Sequence, residues 1–175
     1  EAKGTDSVTL SGRENESKGL IAVTISGMSN SARGQNSILL GGKDNQTFAS
    51  SDAGVIASNP EGGNGAVIIT GGSNEARGAR SVIVGGMHNI TYASGDIILG
   101  GMENSTKAQR AMVLNGDYNE AKGYEAVAIG GMSNDSTGRH SLTVGGYSNA
   151  ATAKNAVAVG GRNNTATALG AVVMG

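Results

Sequence analysis

The sequence predicts an all-β protein built as a parallel solenoid. Three observations lead there: a fifteen-residue period along nearly the whole chain, apolar alternation at the start of each period, and a composition too poor in aromatic residues for an ordinary globular core. Rows begin at Ser7, Ala22 and Ser37 and, after an irregular stretch, at Ala66, Ser81, Asp96, Ala111, Ala126, Ser141 and Ala156, with a partial row from Ala171.

Each row opens with a strand. Its second place is apolar in all ten rows, from Val8 and Val23 to Leu142 and Val157, and so is its fourth, from Leu10 and Ile25 to Val144 and Val159. Alternation of that kind marks a short strand with one face turned inward. The second and fourth places are therefore expected inside. The third place, with Leu39, Ile68, Ile83, Ile98 and Val113, is expected on the opposite face as an exposed apolar stripe.

A turn follows. The sixth place is Gly in every row, as in Gly130–Gly131, where the chain needs a positive φ or a close backbone approach. The ninth place is Asn in every row, from Asn15 to Asn164, and suits a left-handed turn or a stacked hydrogen-bonded ladder. The row closes with a second, polar strand, as in "NEARG" from Asn74 to Gly78. Its eleventh place is always Ala, Ser or Thr and its thirteenth always Gly or Ala. Two strands and two turns fit fifteen residues, and a helix does not fit among so many Gly.

The 175 residues include thirty Gly, one Pro, one Phe and no Trp or Cys. Net charge is −1 with both signs dispersed, which excludes the electrostatic footprint of nucleic-acid or anionic-membrane binding. There is no signal peptide and no apolar run long enough for a transmembrane helix. The opening "EAKG" repeats the phase of Glu120 to Gly123, and neither end carries the atypical polar cap of a finished solenoid. The sequence thus reads as one domain, 1–175, cut from a longer array of about twelve coils of fourteen or fifteen residues, with an irregular coil at 52–65. Two apolar side chains per fifteen ordered residues make a thin core, so a homo-oligomer is expected to form along the third-place stripe.

Rows such as "NSILLGG", "RSVIVGG", "EAVAIGG", "HSLTVGG" and "NAVAVGG" resemble the head repeats of the trimeric autotransporter adhesins of Gram-negative bacteria, the YadA-like heads. The resemblance covers essentially the whole chain. It implies a left-handed parallel β-roll, a parallel homotrimer, display at the cell surface on a stalk, and an outer-membrane anchor. Stalk and anchor are not in this sequence. It also implies adhesion to host extracellular matrix, host cells or neighbouring bacteria, without choosing among them. The regular Gly pair and strict period depart from the family pattern, so no particular member's ligand carries over.

No cofactor, metal or catalytic role is expected. Hexapeptide acyltransferases share a solenoid form but repeat in sixes and need an ordered His, whereas His88 and His140 occupy different places and read as surface turn residues. Calcium-binding repeats need a recurrent Asp, which is missing. Ice binding needs a continuous Thr row, and Thr9, Thr24 and Thr143 are interrupted by aliphatics. A non-adhesive spacer is the remaining alternative.

Two surfaces are candidates for contact. The twelfth place carries Lys18, Arg33, Arg77, Lys107 and Lys122 beside Glu16, Glu75 and Glu120, which reads first as a solvated, charge-paired face. The irregular stretch "FASSDAGVIASNPEGGNG" breaks the Asn rule and holds the single Pro. Phe48, Asp52, Asn59, Pro60 and Glu61, with Tyr92 at the twelfth place of a later row, are the candidate ligand contacts. Six N-glycosylation sequons, at Asn15, Asn45, Asn89, Asn104, Asn134 and Asn163, arise mostly because a fixed Asn precedes a place limited to small residues.

Overall fold

The computed structural model describes residues 1–48 and 65–175. It is an all-parallel β-solenoid of about ten turns in which each turn stacks on the one fifteen residues away, except that Ile38–Leu40 stacks on Val67–Ile69, 29 residues on. An eleven-stranded sheet runs from Val8–Leu10 to Val172–Met174 and holds the second to fourth places of successive rows. A ten-stranded sheet runs from Glu16–Ser17 to Thr165–Ala166 and holds the tenth and eleventh. The sequence suggested these two walls. It did not suggest a third, a line of single-residue bridges at the seventh place, from Arg13↔Met28 to Tyr147↔Arg162.

The coil count is lower than the twelve expected. Strand Ile38–Leu40 pairs directly with Val67–Ile69, and Gln46–Thr47 with Glu75–Ala76, so these two described turns are neighbours in the stack. Gly65 occupies a regular fifteenth place and donates to the Gln35 carbonyl at 2.7 Å. The rest of the irregular stretch, with the expected coil at 52–65 and candidates Asp52, Asn59, Pro60 and Glu61, lies outside the described residues.

All left-handed residues of the described chain fall at four places of the row: the fifth, sixth, eighth and fifteenth. These are the corners between the walls. Only the sixth is restricted to Gly. At Gly131 (φ 73°) a Cβ would run into the Gly146 carbonyl oxygen of the next coil and the Asn134 side-chain amide. At the fifth, eighth and fifteenth places the outside is open, and Ser, Glu, Arg, His and even Ile21 adopt φ near 55° there.

The Asn at the ninth place is not itself left-handed; its neighbour at the eighth is. It is a ladder residue. The backbone N–H of each Asn donates to the Oδ1 of the Asn one coil earlier, from Asn30 to Asn15 (3.1 Å) through Asn119 to Asn104 (2.9 Å) to Asn164 to Asn149 (3.0 Å). The ladder also crosses the irregular stretch, since Asn74 donates to Asn45 Oδ1 at 3.0 Å. From Asn15 to Asn149 each side-chain amide in turn donates to the sixth-place carbonyl of the next coil, as Asn119 Nδ2 does to Gly131 O at 3.2 Å. The fixed Gly and the fixed Asn are therefore two halves of one interlock: the Gly leaves the space that the carboxamide fills.

The inside of the strand is the reverse of what alternation suggested. Leu39, Ile68, Ile83, Ile98 and Val113 are fully buried within the chain's own coil, packed with the small residues of the first and eleventh places. They are the core and form no exposed stripe. The coil is so narrow that one side chain per strand fills it, and the lumen accepts whatever the facing wall leaves room for. Where the third place is Thr, a hydroxyl meets it: Ser17 Oγ donates to Thr24 Oγ1 at 2.9 Å, and Ser136 and Thr143 lie 3.0 Å apart.

Candidate functional surfaces

With the third place inside, the second and fourth places point outward. The eleven long strands present twenty-two apolar side chains there and no polar one, from Val8 and Leu10 to Val172 and Met174. Leu99 is 40% exposed while its neighbour Ile98 is at 0%. Ten intervals of about 4.8 Å make this wall roughly 48 Å long, in one straight parallel register. Soluble monomers rarely leave a contiguous apolar patch of that extent uncovered.

The second wall is polar and paired. Glu16 accepts from Lys18 at 2.6 Å, Arg77 holds Glu75 at 2.5 Å, Lys107 reaches Glu120 of the next coil at 2.9 Å, and Lys122 reaches Asp135 of the next coil at 2.8 Å. Such exposed pairs add solubility and little stability. This agrees with the reading of a charge-paired face.

Phe48 and Tyr92 meet on this wall, two coils apart, through a residue the sequence reading left among the surface cations. Arg77, in the coil between, places its guanidinium 5.3 Å from the Phe48 ring and 5.1 Å from the Tyr92 ring. The three form a ring–cation–ring stack that the Glu75 carboxylate anchors from the side. Equal twelfth places three rows in succession were the available signal. Beside the stack runs a shallow open groove of about 430 Å³ lined by His88, Ile90, Tyr92, Glu103, Ser105, Lys107 and Glu120.

His88 and His140 both sit at left-handed corners with φ 56°, as expected of surface turn residues. His140 joins a cluster at the fourteenth and fifteenth places: Arg110 bonds Glu125 at 3.0 Å and the Tyr124 hydroxyl at 3.2 Å, Arg139 lies over the Tyr124 ring at 5.2 Å, and His140 Nε2 is 3.3 Å from Glu125. The Arg110 guanidinium holds the Glu125 carboxyl below its ordinary range. Among the described residues no group of three or more His, Cys, Asp or Glu is arranged to hold a metal ion.

One buried group went unnoticed in the sequence. Asp96 stands at the first place, where every other row has Ala or Ser, and its side chain lies in the lumen at 0% exposure. Its carboxylate accepts from the Ala93 N–H (3.0 Å) and the Ala111 N–H (3.1 Å). Burial pushes its pKa up to about 7, against the opposing pull of the Thr106 hydroxyl and the two backbone donors.

The fold and surfaces define a class, the parallel β-solenoid repeat proteins. Compared with known proteins, the chain matches no family model and no curated protein sequence. Among the described residues no helix is long and apolar enough to cross a membrane.

Proposed function

We propose that the chain is part of the head of a bacterial surface adhesin of the trimeric autotransporter type: a left-handed β-roll joined as a parallel homotrimer, held at the cell surface by an outer-membrane anchor, and binding host matrix, host cells or neighbouring bacteria without catalysis. One observation carries this reading. The outer face of the eleven-stranded sheet is apolar at every second and fourth place, while the ten-stranded wall is polar and charge-paired and the seventh-place wall mixes exposed Met87, Met132 and Tyr147 with charged residues. Three copies turning these faces to a common axis would bury the stripe and leave the other two walls outside as a repeated contact surface. Many weak identical contacts along such walls add through multivalency. The stack of Phe48, Arg77 and Tyr92 beside the irregular stretch supplies a local feature at one height, which three copies would repeat around the axis. No cofactor, nucleic acid or membrane contact belongs to this reading of the segment.

The assembly is tested by light scattering at micromolar concentration. Leu99→Asp puts a charge on the outer stripe and is expected to give folded monomers, whereas Ile98→Asp puts one in the lumen and is expected to unfold the coils around it; Glu75→Ala is expected to leave the trimer intact. A folded wild-type monomer sinks the proposal. Adhesion is tested by screening the wild-type trimer against matrix proteins, glycans and bacterial cells, in parallel with a variant in which residues 52–65 are replaced by a regular row. Binding lost only in the variant places the contact in the irregular stretch. A trimer that binds nothing removes the adhesive role and leaves a spacer.

A further inference from the structure

We infer that Asn163 is a modification site, the one asparagine of the described chain that the fold presents to an asparagine-linked glycosyltransferase. The inference stands apart from the proposed adhesion and holds whatever the walls bind.

Five of the six sequons have their Asn at the ninth place and their hydroxyl residue at the eleventh, and both places face the lumen. Asn15, Asn45, Asn89, Asn104 and Asn134 are at most 4% exposed, and Ser17, Thr47, Thr91, Thr106 and Ser136 are at 0%. Their amide nitrogens are also committed: Asn104 Nδ2 donates to Gly116 O at 2.8 Å and Asn134 Nδ2 to Gly130 O at 3.1 Å. These sequons are by-products of the ladder.

The sixth is out of phase with the rest. Asn163 is at the eighth place and Thr165 at the tenth, with the ladder residue Asn164 between them. Both point outward; Asn163 is exposed, and Thr165 stands at a place that is half-buried in interior coils such as those of Glu120 and Ala150 and is uncovered here as the end strand of its sheet. Asn163 has the left-handed backbone common to all eighth places (φ 58°), and its side-chain amide makes no hydrogen bond with the described residues. The corner leaves its side chain outside in every coil, exposed at His88, Glu103, Tyr118 and Ser133 and half-buried at Ser29, Asp44, Ser73 and Ser148. Neither the eighth nor the tenth place is fixed by the fold, so this sequon is not imposed by the ladder.

The step requires a nucleotide-diphosphate sugar and the transferase. Asn163 Nδ2 forms a bond to C1 of the sugar, the bond from C1 to the diphosphate oxygen breaks, the nucleotide diphosphate leaves with the electron pair, and one Nδ2 proton passes to a base of the enzyme.

The test is to incubate the folded chain with a soluble sequon-specific asparagine glucosyltransferase and UDP-glucose, then to read intact mass and peptide maps. A synthetic peptide covering residues 158–168 serves as the control for sequon competence. The expected result is a single added hexose at Asn163, lost in Asn163→Gln and in Thr165→Ala with circular dichroism unchanged, and none at the five ladder sequons. The inference is overturned by comparable occupancy at any ladder Asn of the folded chain, by a folded chain that stays unmodified while the peptide is modified, or by a peptide that is itself refused.

Discussion

Asp96 makes the stability of the solenoid depend on pH in a direction opposite to most paired carboxylates. Its pKa rises from an ordinary 3.8 to about 7 on folding, so the unfolded chain gives up this proton first. Stability from this group is fully present below pH 3.8, falls as pH rises, and is gone once pH passes 7. At 1.36 kcal/mol per tenfold change in acidity, the span corresponds to on the order of 4 kcal/mol. Asp96→Ser installs the residue found at this place in Ser37, Ser81 and Ser141, whose rows need no charge in the lumen. The substitution also takes an acceptor from two backbone donors. Ala111 N–H keeps the Ala108 carbonyl at 3.1 Å. Ala93 N–H loses its bond, at a cost of about 1–2 kcal/mol unless it turns to the next coil as Gly123 and Gly138 do. The variant is therefore expected to be more stable than wild type by about 2–3 kcal/mol at pH 8 and less stable by about 1 kcal/mol at pH 4. Urea unfolding followed by circular dichroism at fixed protein concentration, from pH 4 to 8, measures the difference. If variant and wild type run parallel across that range, the carboxyl is not titrating inside the lumen and the reasoning fails.

Two further perturbations probe the repeat itself. Asn119→Ala takes Oδ1 from the buried Asn134 N–H and is expected to cost about 2–4 kcal/mol by urea unfolding, while leaving Gly131 O its bond from the Asp117 N–H; a loss below 0.5 kcal/mol would mean that the ladder is ornamental. Ile21→Gly relieves a β-branched residue held at φ 55° on an exposed corner and is expected to raise the unfolding midpoint by the equivalent of about 1 kcal/mol; a lower midpoint would show that Ile21 earns its place by packing.

The period, the parallel stacking and the Asn ladder were legible because each is a rule repeated in every row. The orientation of the long strand was misread because alternation says which residues share a face and not which face is inside. Residue size held the clue. The third place runs from Ile83 to Ala128, Thr143 and Ala158, as a lumen place does when the opposite wall sets the room, whereas the second and fourth never admit a polar residue. In an ordinary sheet strict apolarity signals the core; on a coil this narrow it signals a face that needs cover. Two other features lay beyond the pattern. Arg77 between Phe48 and Tyr92 depends on three unlike residues at one place, and Asp96 is a single departure, so a method that seeks repetition passes over both.

Each turn uses fifteen residues to advance the rod by one strand spacing, about 4.8 Å, whereas the same fifteen residues in an α-helix would advance it by about 22 Å. A chain selected for reach would not be written this way. What the solenoid gains for its slow climb is girth: at every height it offers outward side chains on three walls, addressed by row and place. A single substitution there changes one square of a lattice and leaves the coordinates of all the others untouched.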